Sequence, residues 1–200
     1  MNSEVNMMNN NSNQSVITQR RPLSLTLLYA VFGMAAAVAL PQILHVFGAA
    51  TGLGTLPGET FLPMHLPVLL TGFLAGPLAG LLCGLCAPAV SMALTGMPLP
   101  AMMPFMTIEL AVYGLSAGLV RPVGGEDRYL VIKTLTAQVA GRALRAVAIL
   151  IAFYGLGMTM IAPPVIWNSV IAGIPGIIIQ LVAVPVIVKL ADRAKGNTNE

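Results

Sequence analysis

Three charged residues stand inside otherwise apolar runs of this sequence: Glu109, Arg142 and Arg145. An ionised side chain among apolar residues is costly and needs a partner or a task. One carboxylate against two guanidiniums pairs one charge and leaves a positive charge that an anion would balance. Guanidinium groups hold carboxylate or phosphate bidentately, so the trio suits an anionic or hydroxyl-rich ligand. The same residues also suit a structural Glu109–Arg145 pair that locks two helices. From the residues alone both readings stand. Arg142 and Arg145 are close enough in sequence to share nearly one helix face.

Other polar groups are sparser. His45 and His65, with Glu59, fit the mouth of a cavity, or simply histidines half in water. Two histidines and one loop carboxylate fall short of a metal site. Tyr113, Tyr154, Gln180, and Asn168 beside Trp167 also sit in apolar surroundings. They serve either as helix glue or as ligand contacts. Cys83 and Cys86 form a C-x-x-C, a redox signal in a soluble protein. Here they lie one turn apart in an apolar helix and read as small packing residues. The sequence has no G-x-S-x-G, no H-E-x-x-H and no P-loop, so no hydrolytic site and no ATPase of its own is expected. No cofactor and no metal is called for.

The elements that must position these residues follow from composition. The chain has 200 residues, 56% hydrophobic and 8% charged, with a mean hydropathy of +0.85. A soluble domain is about a quarter charged. A water-soluble enzyme, a disordered chain and a nucleic-acid-binding module are therefore excluded, and a polytopic all-α membrane protein remains. The net charge of +3 bears on orientation more than on partners.

Residues 1–19 are polar and Asn-rich and read as a disordered cytoplasmic tail without a cleavable signal. Residues 20–192 form the membrane domain, and 193–200 a second cytoplasmic tail. The first span is expected at Leu23–Phe47, and a Gly/Pro-rich loop follows it. The Gly76-Pro77 break separates a short span, Met64–Ala75, from a third, Pro77–Thr95. The fourth is expected at Ala101–Val120, the fifth at Tyr129–Met158 and the sixth at Pro164–Leu190. With six spans, Arg20, Arg21, Arg121, Arg128, Lys133, Lys189, Arg193 and Lys195 all lie on one side, with both termini, in the cytoplasm. Glu109 then sits about 15 Å and Arg145 about 20 Å from the outer surface, which makes a mid-membrane pair plausible.

Three stretches carry a resemblance: FLPMHLPVLLTGFLAGPLAGLLCGLCAPAVSMALTGMP (Phe61–Pro98), PFMTIELAVYGLSAGL (Pro104–Leu119) and AGIPGIIIQLVAVPVIV (Ala172–Val188). Together they resemble the substrate-binding S components of energy-coupling factor (ECF) transporters, vitamin importers of the bacterial and archaeal cytoplasmic membrane. The resemblance extends over nearly the whole chain after the tail. Within that family the chain looks most like the group that includes pantothenate and α-ribazole carriers. The resemblance implies a six-helix bundle that binds one micronutrient near its outer face. It implies that the connector 49–63 closes over the ligand; on the residues' own chemistry, Glu109, Arg142, Arg145, His65, Asn168, Tyr113 and Gln180 are the candidate contacts. It further implies docking on a transmembrane T component that carries two ATPases, and toppling to release ligand inside. Such docking uses small residues four apart on the first helix. The candidates are Gly33/Ala37 and Ala35/Ala39, with Gly76, Gly80 and Gly84 as further smooth surface. The rival reading is a secondary transporter driven by an ion gradient, with Glu109 or His65 carrying the proton. A membrane enzyme or scaffold subunit is the more remote one.

Overall fold

The structure is a computed structural model and describes residues 22–121 and 128–196. The expected tail 1–19, Arg20, Arg21 and most of the charged loop after Arg121 lie outside the described residues, as do residues 197–200. Among the described residues the regular structure is all helical. Helix α1 spans Leu23–Thr51, α2 Leu56–Phe61, α3 His65–Ala75, α4 Pro77–Thr95, α5 Met103–Leu119 and α6 Leu130–Leu150. A π-helical turn, Ile151–Gly155, extends α6; α7 covers Pro164–Ala172 and α8 covers Ile174–Gly196.

Local chemistry sets the boundaries. Gly52 ends α1 in the left-handed region at φ 74°, where glycine carries no Cβ penalty. Gly76 joins α3 to α4 at φ 103°, ψ 178°, a conformation open only to glycine. Pro77 then starts α4 at the position where a missing N–H costs nothing. The α4 bounds coincide with the expected third span.

Two expectations need correction. The connector after the first span is not plain loop: α1 runs on to Thr51, and α2 forms around Pro57. The sixth span is not one helix. It breaks at Gly173 between α7 and α8. Pro175 lacks an N–H and its ring opposes the carbonyl four residues earlier, so α7 cannot run unchanged into α8.

Among the described residues, four helices are long and apolar enough to cross a membrane: Leu23–Thr51, Pro77–Thr95, Leu130–Gly155 and Ile174–Ala194. Met103–Leu119 is apolar but has only 17 residues. Helix α3 has 11 residues, about 16 Å at helical rise. The outer surface is apolar as well. Phe32 is 67% exposed, Val46 70% and Leu94 72%, as suits faces turned to lipid or to another apolar surface.

The core sits among α3, α4 and α5. The closest approach joins α4 to α5 at Gly80 and Gly114, where a Cβ on either would fall on the other's carbonyl. Gly84 lies in the same way against the Leu110 carbonyl, and Gly72 of α3 against Ala117. Small residues let membrane helices pack backbone to backbone, where dispersion replaces the absent hydrophobic drive. Around them Val68, Leu69, Leu110, Tyr113 and Ala117 form the main buried cluster.

Gly80→Leu and Gly114→Leu should each lower the unfolding midpoint strongly, by overpacking costs of about 1–3 kcal/mol or more. Ala39→Leu, on the exposed side of α1, should leave it unchanged. Thermal unfolding in detergent checks both. Equal midpoints for all three variants would show that the α4–α5 contact does not hold the fold.

Candidate functional site

The α5–α6 contact builds the polar centre. A Cβ at Gly141 of α6 would fall into the Tyr113 ring and lie 2.7 Å from the Glu109 carbonyl. The bare glycine brings α6 against α5 at this level. Arg142 and Arg145, just beyond it, thereby come within reach of Glu109.

Glu109 is fully buried. Arg145 Nη1 donates to its Oε2 at 2.8 Å, the pairing expected from sequence. Arg142 Nε lies 3.9 Å from Oε1, and His65 Nε2 lies 3.6 Å from the same oxygen. The His65 ring meets the Tyr113 ring edge-on at 5.2 Å. Counting histidine as neutral, the cluster holds one negative and two positive charges.

Its hydrogen bonding is incomplete. Among the described residues, Glu109 Oε1, both His65 ring nitrogens, Arg142 Nε and Nη2, and Arg145 Nε are buried without a hydrogen-bond partner. Buried polar atoms are ordinarily satisfied by protein or bound molecules, and a half-satisfied network is costly at low dielectric.

Glu109 and Arg145 face a cavity of about 450 Å³, within the range of small-molecule sites. Its walls come from the second half of α1, the start of α3, the first turns of α5 and helix α7. Leu62, Pro63, Gly58 and Glu59 of the connector close one side. Helix α3 is too short to fill the thickness its neighbours span, and the cavity lies over its first residues, Met64 and His65.

The candidate residues separate on this geometry. Glu109, Arg145, His65 and Asn168 line the cavity, as do His45 and Glu59. Arg142 does not; it lines a separate void of about 10 Å³ with Arg145 and Ser169. Tyr113 lies behind His65 in the core. Gln180 is away from the cavity wall, and Gln138 donates to it. Sequence reasoning missed Ser169 and the methionines Met64, Met97, Met102 and Met106, all on the wall. Met102, Met106 and Glu109 repeat at helical spacing along α5, a signal that would have found two of them.

The docking candidates separate too. Ala37 is fully buried and Gly33 faces Thr71 and Cys83. Gly76, Gly80 and Gly84 are buried inside the chain. They pack helices of this chain and offer no outer surface, which corrects their assignment to a partner. Ala35 and Ala39 are exposed on α1. Cys83 is a free buried cysteine and Cys86 a free exposed one. Among the described residues no three His, Cys, Asp or Glu side chains gather in a way that would hold a metal ion.

Comparison with known proteins bears on this arrangement. The family model described as "ECF transporter, substrate-specific component" matches residues 25–188. Neither a curated protein nor a solved structure matches the chain. This apolar chain, whose largely apolar cavity carries a charged pair on its wall, is matched over most of its length by that model and belongs to the family of ECF transporter substrate-specific components.

Proposed function

We propose that the chain captures a water-soluble vitamin or vitamin precursor from outside the cell and delivers it to an ATP-driven ECF module. The family membership supports a membrane substrate-binding subunit. The single observation that carries the finer reading is the 450 Å³ cavity with the incompletely bonded Glu109–Arg145 pair on its wall.

The orientation follows from charge. Arg121, Lys133, Lys189 and Arg193 lie at helix ends remote from the cavity: the end of α5, the start of α6 and the end of α8. Cytoplasmic ends carry the excess of Lys and Arg. That end faces the cytoplasm of a bacterial or archaeal membrane, and the cavity opens outward. Helices α1, α3, α4, α5 and α6 and the α7–α8 pair make six passages, with α3 as an abbreviated one. The exposed Ala35 and Ala39 of α1 form the small-residue face on which the T component, with its two ATPases, docks.

Ligand chemistry follows from the surplus guanidinium. An anionic ligand such as pantothenate balances the two arginines against Glu109. A neutral one such as α-ribazole leaves the Arg145–Glu109 pair structural and takes its polar contacts from His65, Asn168 and Ser169. A second reading, an importer driven by an ion gradient, is favoured by one observation, the buried His65–Glu109 contact. It requires uptake that stops with an uncoupler and continues without any ATPase partner.

Mass spectrometry of the detergent-purified chain should find one co-purifying vitamin or precursor, and that compound should raise the unfolding midpoint at submicromolar concentration. Arg145→Glu should lose both effects. A charge-reversed variant that binds normally would remove Arg145 from the site. Stability of the ligand-free protein should follow the charge count. Glu109→Gln strands two guanidiniums and should cost about 3–5 kcal/mol, the usual loss when one partner of a buried pair is removed. Arg142→Gln balances the remaining charges and should cost clearly less. Denaturant or thermal unfolding of the two variants reads this order, and the reverse order would show that Arg142, not Arg145, neutralises Glu109.

A further inference from the structure

Two buried amides lie outside the ligand site. Gln138 is 2% exposed and Gln180 1%, and neither lines the cavity. Gln138 Nε2 donates to Gln180 Oε1 at 2.9 Å. Gln180 Nε2 donates to the Leu62 carbonyl at 3.2 Å. Leu62 ends α2 in the left-handed region at φ 49°, and it lines the cavity. The amide chain therefore runs from α6 through α8 to the covering connector.

The connector also has a shaped seat. A Cβ at Gly176 would come within 2.7 Å of the Phe61 carbonyl, and one at Gly173 within 2.9 Å of Leu62 Cδ1. Gly173, Gly176 and Gln180 are spaced three and four apart and so share one side of the α7–α8 junction. At the connector's other end, Gly52 and Gly54 have positive φ, and Gly54 N–H donates to the Gly48 carbonyl at 3.1 Å. On α6, Gln138 is followed at helical spacing by Arg142 and Arg145, so one helix carries both the amide chain and the charged groups.

We infer that Gln138 and Gln180 are positioning residues that latch the connector closed over the cavity, with Gly173 and Gly176 as its seat. The inference rests on the proposed reading that the cavity is the ligand site. Lifting the connector leaves the Gln180 Nε2 donor without a partner in apolar surroundings until water arrives, which opposes opening; the Leu62 carbonyl keeps the His65 N–H at 3.1 Å. The hydrogen bonds run in one direction, so the two ends of Gln180 are not equivalent. Its Nε2 holds the connector, and its Oε1 is held by α6.

The test reads closure without any ligand. Met106→Cys places a thiol on the cavity wall of the full-length chain in lipid nanodiscs, with Cys86→Ala removing the exposed native cysteine. The rate of modification by a charged, membrane-impermeant methanethiosulfonate is followed by mass spectrometry, with buried Cys83 as internal reference. Gln180→Leu and Gln180→Glu should each raise the rate at Met106→Cys at least tenfold with Cys83 still protected. Gln180→Glu keeps the acceptor for Gln138 and loses the donor to Leu62, so it carries the test if Gln180→Leu does not fold. Gln138→Leu should give a smaller rise. Unchanged rates in folded Gln180 variants overturn the latch, and so does a parallel rise at Cys83, which marks general loosening of the core. Failure of the ligand reading shows separately, as a protein with no bound molecule in which the Gln180 variants still raise the modification rate.

Discussion

A carboxylate with no solvent exposure, Glu109, must be neutralised inside an apolar bundle, and much of the architecture follows from that requirement. An unpaired ion at this depth would not stay charged. The pairing needs α6 to lie within side-chain reach of α5, which Gly141 permits by yielding its side-chain space to Tyr113. It needs α5 to be held rigidly, which the Gly80–Gly114 contact with α4 provides. The 11-residue α3 leaves a cavity beside the pair. A full-length helix in its place would fill the cavity. The bundle is tightest where backbones touch at the glycines and hollow where α3 stops, and the charged cluster sits at the boundary between the two.

Much of this was legible in the sequence, and the reasons for the misses are physical. Glu109, Arg142 and Arg145 stand out because charge in apolar runs is rare, and Arg145 does bond Glu109 at 2.8 Å. Gly76-Pro77 and Gly96 punctuate α4 by backbone rules that need no tertiary information. The break at Gly173 was hidden because hydropathy stays high across Pro164–Leu190 although the helix does not. Its signal was Gly173, Pro175 and Gly176 within four positions. Spacing of small residues could not tell which face of a helix meets a sister helix and which meets lipid. That is why Gly76, Gly80 and Gly84 read as partner surface although they lie buried inside the chain. Gln180 reads from sequence as ligand contact or glue with equal force; only its bonds to Gln138 and Leu62 separate the two.

The connector links these features thermodynamically. Leu62 is tied to α8, and three residues later His65 sits against Glu109. The last turn of the connector and the first turn of α3 are thus one short segment fixed at the amide chain and at the charged cluster. With the connector off its seat, water reaches the cavity and the effective dielectric around Glu109 and Arg145 rises, so their attraction weakens. With it seated, the same pair lies in drier surroundings, where its unbonded donors and acceptors are most costly. Closure alone therefore strengthens the ion pair and penalises the orphaned groups beside it. A ligand that supplies the missing partners removes the penalty and keeps the gain. Ligand binding and closure then favour each other by the same factor in both directions, as linkage requires. A guest in the cavity can complete the hydrogen bonding of Glu109, Arg145 and His65, which line it, but not that of Arg142, which lies off it.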